Sequence, residues 1–268
     1  MPFITNPKDA VTRICSGLAR SLQQTGRSEY VLGLSGGIDS AAAAYLAVQA
    51  VGAERLLCLL MPCATSSRDS LTDADLVVAN LGARSKVVDI TEMLEAYESQ
   101  VGELPAVRRG NLCSRLRMLT LFDHSHAQGL VLGTSNKTET LLGYGTLFGD
   151  AAWSVNPLGD LYKLDVRRLA EHLKVPSSIQ KKIPTADLWE GQTDEEELGF
   201  SYEKMDRLLV KLVDEKKSRR ELLAEGTDPK LIERVVSLIR GSAFKRKPGA
   251  VVWLGVPYSA AHIEDPDW

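Results

Sequence analysis

The sequence predicts an α/β protein: a doubly wound, mostly parallel sheet with helices on both faces, followed by a helical C-terminal part. Three observations predict it. Four short segments rich in apolar residues, "YVLGL" (30–34), "RLLCLLM" (55–61), "SKVVDI" (85–90) and "GLVLGTS" (129–135), have the length of buried strands. Helical patterns separate them, and apolar strands alternating with helices form parallel βαβ units covered on both faces. From Pro176 onward the strand signal fades, leaving helical spacing, prolines and acidic runs such as "TDEEELG".

Each element has its own reason. Asn6-Pro7 reads as a helix cap followed by proline at the first helical position, where a missing N–H costs nothing. Val11, Ile14, Cys15, Leu18 and Leu22 follow at helical spacing. The first strand runs into an alanine-rich helix over 41–51, and the second is followed by a helix over 69–81. After the third strand come a helix over 91–97 and a long helical stretch over 108–127, which delivers the chain to the fourth strand. Near the end, Thr227-Asp228-Pro229 caps a helix with Leu231, Ile232, Val235, Val236 and Ile239 on one face. "PTADLWEGQTDEEE" reads as a long loop, which compact domains usually keep for function. The last residues, "VVWLGVPYSAAHIEDPDW", read as a tail whose apolar half packs on the surface.

Composition narrows the class. The chain has 268 residues, 44% hydrophobic and 25% charged, which is ordinary for a soluble globular protein with a sizeable core. A net charge of -3 gives no basic surface for duplex nucleic acid. No apolar run approaches the roughly 18 residues that span a bilayer, and the start, "MPFITNPKDAVTR", lacks the order of a secretory signal. Cys15, Cys58, Cys63 and Cys113 show no C-x-x-C spacing and read as buried thiols of a cytoplasmic protein.

The chemistry starts at Ser35-Gly36-Gly37-Ile38-Asp39-Ser40, between the first strand and the helix after it. A plain turn needs one glycine at most. Two adjacent glycines at a helix start let backbone N–H groups converge on an anion, and the hydroxyls of Ser35 and Ser40 add donors. No G-x-x-x-x-G-K-[ST] occurs, which excludes a Walker-type loop. Asp39 is the odd member: a carboxylate beside a phosphate repels it unless a cation lies between, so Mg²⁺ is expected.

This corner resembles the pyrophosphate loop of the ATP pyrophosphatase superfamily, whose members split ATP into AMP and pyrophosphate. Further stretches, "GNLCSRLRM" (110–118), "GTSNKTETLLGYGTLFGDAAWSVNPLGDLYKLDV" (133–166) and "IPTADLWEGQTDEEELGFSYEKMD" (183–206), resemble the ammonia-dependent NAD synthetase family. The resemblance runs from the first strand to "FKRKP" (244–248). It implies one synthetase domain over 1–250, with an ATP pyrophosphatase core at about 28–170, a helical substrate and dimer part at 171–250, and a tail at 251–268.

The resemblance also assigns roles. ATP would be held by Gly33, Leu34, Ser35, Gly36, Gly37, Ile38, Asp39 and Ser40, with Thr134, Lys163 and Thr185. Asp39 and Glu139 would bind Mg²⁺; Asp39, Ser40 and Lys163 would serve the reaction itself. Without the resemblance Glu139 reads as a surface residue favoured by a helix dipole, Lys163 as a solvated charge and Thr185 as a cap. Arg115, Lys245 and Phe244 would meet deamido-NAD, whereas Arg117, two positions on, points elsewhere on its helix. Phe244 stands where the family often has histidine, Leu147 where it often has lysine, and Ser154 where it often has aspartate. Asn156, Asp150 and the Tyr144–Gly145 backbone are candidate substitutes.

The implied reaction joins ammonia to the nicotinate carboxylate of deamido-NAD through an acyl-adenylate, giving NAD, AMP and pyrophosphate. At 268 residues the chain is expected to lack the amidase domain of glutamine-using relatives and to take free ammonia. The resemblance implies a homodimer built partly from the helix around 108–127. His124, His126, His172 and His262 have no required role. Two rival readings are another ATP pyrophosphatase, tRNA-modifying or amidating, and a non-catalytic adenine-nucleotide module.

Overall fold

The computed structural model describes residues 3–247 apart from 65, 127, 186–190 and 192; the expected tail and all of "ADLWE" lie outside them. The first helix, α1 (Pro7–Thr25), starts where Asn6 accepts from the Lys8 and Asp9 N–H groups. It stops at Gly26, whose φ of 64° suits a residue without a Cβ. The sheet strands are β1 (Glu29–Gly33), β2 (Leu56–Leu60), β3 (Arg84–Val87) and β4 (Gly129–Leu132), all parallel, in the order β3-β2-β1-β4. The crossovers are α2 (Ile38–Val51), α3 (Arg68–Leu81), α4 (Thr91–Val101) and α5 (Ala106–Ser125).

Side-chain alternation explains why the sheet is covered twice. On β1, Tyr30 and Leu32 enter a core with α1 and α2, while Val31 points to the other face and meets Leu59, Ile90, Leu94 and Cys113. Ala41, Ala42, Ala43 and Ala44 of α2 are all fully buried, so small side chains let this helix lie close between sheet and α1. Each fully buried leucine here, such as Leu32 or Leu46, contributes about 1.5–3 kcal/mol relative to an exposed one.

One strand departs from the expectation of two covered faces. All four residues of β3 are exposed, and the strand is shorter than the apolar segment 85–90 that announced it. It lies at the sheet edge, where charged Arg84 and Lys86 discourage pairing with another chain. Val88 leaves the strand yet still donates to the Leu60 carbonyl, at 2.8 Å.

The chain then turns to the helices α6 (Lys137–Leu142), α7 (Lys163–His172), α8 (Ser177–Lys181), α9 (Asp194–Leu198), α10 (Tyr202–Leu209), α11 (Arg219–Ala224) and α12 (Pro229–Gly241). As expected from Asp228-Pro229, the Asp228 carboxylate accepts from Lys230 N–H at the start of α12. Leu198, Tyr202, Met205, Leu209, Leu222, Ile232 and Val235 form a second core, which Tyr162 joins from the start of α7. The rest of α7, with Val166 and Leu169, packs in the sheet core. This helix is therefore the splice between the two cores.

The strand order sets the location of the site. The chain builds outward from β1 to β3 and then returns to place β4 on the other side of β1. Loops leaving the carboxyl ends of β1 and β4 diverge there and open a crevice, the usual ligand position of an open parallel sheet.

Candidate active site

A cavity of about 530 Å³ opens at this crevice. Its walls include Gly33, Leu34, Ser35, Gly37, Ile38, Asp39 and Ser40 after β1, and Thr134 after β4. Glu139, Lys163, Thr185 and Lys245, from four later parts of the chain, also line it. Gly36 sits behind the lining: its φ is 76°, and a Cβ there would collide with the Ser70 carbonyl of α3. Arg115 and Phe244 are not among the lining residues; both are exposed.

The corner after β1 is held by its own hydroxyls. Ser40 Oγ donates to the Gly37 carbonyl at 3.0 Å and accepts from Ser35 N–H at 3.2 Å. The Ser35 and Ser40 hydroxyls lie 3.1 Å apart, and Gly37 N–H donates to Ser35 Oγ. Gly37 caps α2 with no side-chain acceptor, so the first N–H groups of that helix face the cavity uncapped by a side chain. Such a helix end attracts an anion.

Lys163 ties the corner to the rest of the chain. Only 2% exposed, its ammonium donates to Asp39 Oδ2 at 2.6 Å and to Glu139 Oε1 at 3.1 Å. It also lies 5.0 Å from the ring centre of Tyr202. Burial on its own would lower the Lys163 pKa, but Asp39 and Glu139 outweigh it and hold the amine above its usual range. Burial pushes Glu139 up to about 8, with the Asp39 charge adding and Lys163 opposing. Without a metal, a protonated Glu139 leaves Asp39 and Lys163 balanced; a bound cation would favour the ionised form, and two carboxylates with one ammonium then leave one negative charge to meet it. That surplus, and an all-oxygen donor pair, fit Mg²⁺. Among the described residues no cluster of three or more His, Cys, Asp or Glu could hold a metal ion, so phosphate and water oxygens would supply the remaining positions.

Several residues of the site were missed in the sequence. Asn136 is fully buried; its Nδ2 donates to Asp39 Oδ1 at 3.0 Å while its Oδ1 accepts from Glu139 N–H. Glu139 Oε2 in turn accepts from Asn136 N–H, completing a capping box at the start of α6. The N-x-x-E spacing of "NKTE" carries that signal. The dipole-favoured helix start and the cavity position of Glu139 are thus one arrangement. Tyr144 and Tyr202 both donate to Asp194, at 3.1 and 2.9 Å, and Tyr144 also donates to Glu197. Burial raises the Asp194 pKa, with Lys163 and the tyrosine hydroxyls opposing. No short-range pattern in the sequence brings these four together.

The other half of the cavity differs from expectation. Arg115 donates to the Leu147 carbonyl at 3.3 Å from the protein surface. Arg117, expected to point elsewhere, lines the cavity and donates to the Met61 carbonyl at 3.1 Å. Both ammonium contacts of Lys245 are backbone carbonyls, Gly143 and Gly145, each at 2.8 Å. Phe244 is 62% exposed. Ser154 accepts from Val131 N–H, and Asn156 is engaged with Ser135 and Leu158, so neither replaces a missing charge in the lining. Asp150 does line the cavity, with Oδ1 accepting from Ser114 Oγ and Thr146 N–H. Tyr144 and Gly145 line it too.

Cys58, Cys63 and Cys113 are buried, as expected, whereas Cys15 is half-buried. His124 sits near the end of α5, bonded to Lys86 and the Thr120 carbonyl, away from the cavity. No described helix is long and apolar enough to cross a membrane.

Comparison with known proteins shows the family. The NAD synthase family model matches residues 10–249. The NH(3)-dependent NAD(+) synthetase of Chlorobaculum tepidum is 49% identical over 230 residues, 85% of this chain and 83% of that one. Among solved structures, the NMN synthetase of Francisella tularensis superposes with a TM-score of 0.83 at 33% identity, over 93% of this chain and 99% of that one. The NH3-dependent NAD synthetase of Campylobacter jejuni, solved with a nitrate ion, gives a TM-score of 0.81 at 34% identity, over 93% and 100% of the two chains. A matched stretch this long, spanning both the β1 corner and the residues that meet it from α6 and α7, places the chain in the NAD synthase family.

Proposed function

We propose that this chain is a ligase that converts deamido-NAD to NAD with ATP and ammonia, passing through an acyl-adenylate. The observation that carries the site assignment is the convergence of Asp39, Glu139 and Lys163 at the uncapped start of α2. A carboxylate does not react with ammonia near neutral pH because oxide is a poor leaving group. Attack of the nicotinate carboxylate oxygen on the α-phosphorus of ATP forms the new O–P bond and breaks the bond to pyrophosphate. Ammonia then adds to the activated carbonyl, AMP leaves with the bonding pair, and a proton is lost to solvent.

Nothing in these steps needs a protein nucleophile; positioning and charge stabilisation suffice. The N–H groups around Ser35–Ser40 and the Lys163 ammonium would hold the departing pyrophosphate. Thr134 and Thr185 would contact ATP from the β4 side and from the loop before α9. Asp39 and Glu139 would hold Mg²⁺, which when bound screens phosphate charge. For the dinucleotide, Lys245 and the Tyr144–Gly145 backbone are supported by their place in the lining, with Asp150 beside them. Arg115 and Phe244, exposed in a single protomer, fit a role completed by a second copy.

A homodimer is the assembly this reading favours. Val107, Leu119 and Phe122 of α5 and the nearby Phe148 leave a set of large apolar side chains exposed, 64%, 58%, 39% and 64% respectively. Such a set suits a self-complementary interface. Light scattering at micromolar concentration checks it: twice the chain mass is expected, and a monomer would remove the dimer and with it the role given to Arg115.

The functional test is pyrophosphate release. It should require deamido-NAD and ammonium together, and glutamine alone should support essentially none. Nicotinate mononucleotide belongs in the same assay, because one close structural match is a protein described as an NMN synthetase. Faster turnover of the mononucleotide would replace the dinucleotide as the substrate.

A further inference from the structure

Beneath the cavity floor lies a carboxylate to which neither the reaction nor the family resemblance gives a role. Asp206, on α10, is fully buried. Its Oδ1 accepts from Thr138 Oγ1 at 2.5 Å, and its Oδ2 accepts from Leu164 N–H at 2.9 Å. Both donors are neutral. Burying a carboxylate on neutral donors is costly, and a leucine or asparagine would fill the volume more cheaply.

What those two donors neighbour gives the carboxylate its meaning. Thr138 precedes Glu139, and Leu164 follows Lys163. The Thr138 hydroxyl donates to Asp206 and at the same time accepts from Lys163 N–H, at 3.0 Å. One carboxylate thus clamps two chain segments, more than 20 residues apart in sequence, whose adjacent side chains meet in the cavity. The start of α7 has no side-chain cap of its own, and Asp206 takes that place from another helix. One turn earlier on the same face of α10, Tyr202 lies against the Lys163 ammonium and bonds Asp194. The face therefore meets the Lys163 charge through Tyr202 and holds its backbone indirectly, through Thr138 and Leu164.

We propose that Asp206 is a positioning residue for the pyrophosphate end of the site, fixing Lys163 and Glu139 relative to each other through Thr138 and the start of α7. It touches no substrate. The inference rests on the functional reading above, and a fixed Lys163–Glu139 pair is what a preorganised anion site requires. Burial raises the Asp206 pKa to about 6, so near neutral pH it is available as a double acceptor.

The test uses Asp206→Asn, Thr138→Val and Thr138→Ser in the full chain. In Asp206→Asn the amide nitrogen cannot accept, so one of the two bonds is lost. Thr138→Val removes the same link from the other side, and Thr138→Ser keeps it. Asp206→Asn and Thr138→Val should each lower kcat ten-fold or more and weaken ATP binding, titrated calorimetrically with excess Mg²⁺, several-fold. The KM for deamido-NAD should stay within two-fold, and Thr138→Ser should keep at least half of the wild-type kcat. Folded variants with unchanged kcat and ATP affinity would overturn the proposal. So would equal weakening of both substrates, which marks a general loss of structure, or a Thr138→Ser as poor as Thr138→Val. If Asp206→Asn does not fold, the valine and serine pair decides alone. Wild-type protein that binds ATP but does not amidate deamido-NAD would count against the functional reading, and the ATP titrations of the variants would still judge the clamp.

Discussion

The two halves of the cavity are built differently. At the phosphate half, a six-residue corner is met by charged groups from α6 and α7, and each has a fixed partner before any ligand arrives: Lys163 with Asp39 and Glu139, Asn136 with Asp39, Ser40 with Ser35. At the half proposed for the dinucleotide, Lys245 holds backbone carbonyls, Arg115 lies outside the lining and Phe244 is exposed. The first half is preorganised for an anion within one chain; the second combines loop backbone with Arg117 and Asp150, whose bonds go to neighbouring protein groups. Backbone conformation there is also less ordinary, since Phe148 holds a φ of 59°, a region that favours glycine.

The largest effect should come from the phosphate half. Lys163→Met removes the shared cation and leaves two buried carboxylates facing each other, so kcat should fall about 10²–10³-fold, the usual size for one lost preorganised donor. Pyrophosphate release in single turnover measures it, and a loss below ten-fold would break the contrast. Asp39→Asn should abolish turnover with the fold intact by circular dichroism, and near-normal activity would sink the metal assignment.

A stability effect of comparable size is expected under the same half. Asp206 has its pKa raised from 3.8 to about 6 by burial. Between these values the folded chain holds a proton that the unfolded chain has released. Stability from this group is therefore fully present below about pH 4 and declines as pH rises through about 6. The full amount is up to roughly 3 kcal/mol by linkage. Denaturant unfolding of wild type and Asp206→Asn from pH 4 to 7 should show the gap between them shifting in the variant's favour as pH rises; parallel curves would contradict it.

The dinucleotide half should respond more selectively. Arg115→Ala should weaken deamido-NAD about ten- to a hundred-fold, the worth of one charged hydrogen bond, with ATP affinity nearly unchanged. Calorimetric titration of each ligand, with a melting curve, separates this from loss of a structural contact to Leu147, which would lower both affinities together. The smallest effect should belong to Asn136→Ala. Loss of the α6 cap should cost about 1 kcal/mol of stability, read as a lower denaturant midpoint. A far larger loss would mean that its bond to Asp39 holds the corner together.

Much of this was legible in the amino-acid order because it depends on near neighbours. The place of each strand, helix spacing, the Asn6 and Asp228 caps and the Ser35–Ser40 corner are local, so hydrophobic period and capping chemistry announce them. The ATP-side residues could be nominated through family likeness, and the structure gathers all of them except Gly36 into one lining. The Asn136–Glu139 box was written in its spacing too, although its use in the site was not.

What only the tertiary structure decided are the pairings across long stretches of chain. Asp39 and Lys163 are 124 residues apart, and nothing local distinguishes Lys163 from a solvated surface lysine. Return of the chain to place β4 beside β1 brings α6 and α7 to the corner, and burial then makes that lysine a shared counter-ion. The same holds for Arg115 and Arg117, which one helix carries two positions apart: packing of α5 on β1 and β4 brings Arg117 to the cavity and the Met61 carbonyl, and leaves Arg115 outside. Exposure of β3 is likewise a consequence of sheet order, because an edge position cannot be read from the strand itself. Sequence fixes local geometry through dihedral and capping preferences, while charge and burial at a site depend on which distant segments packing brings together.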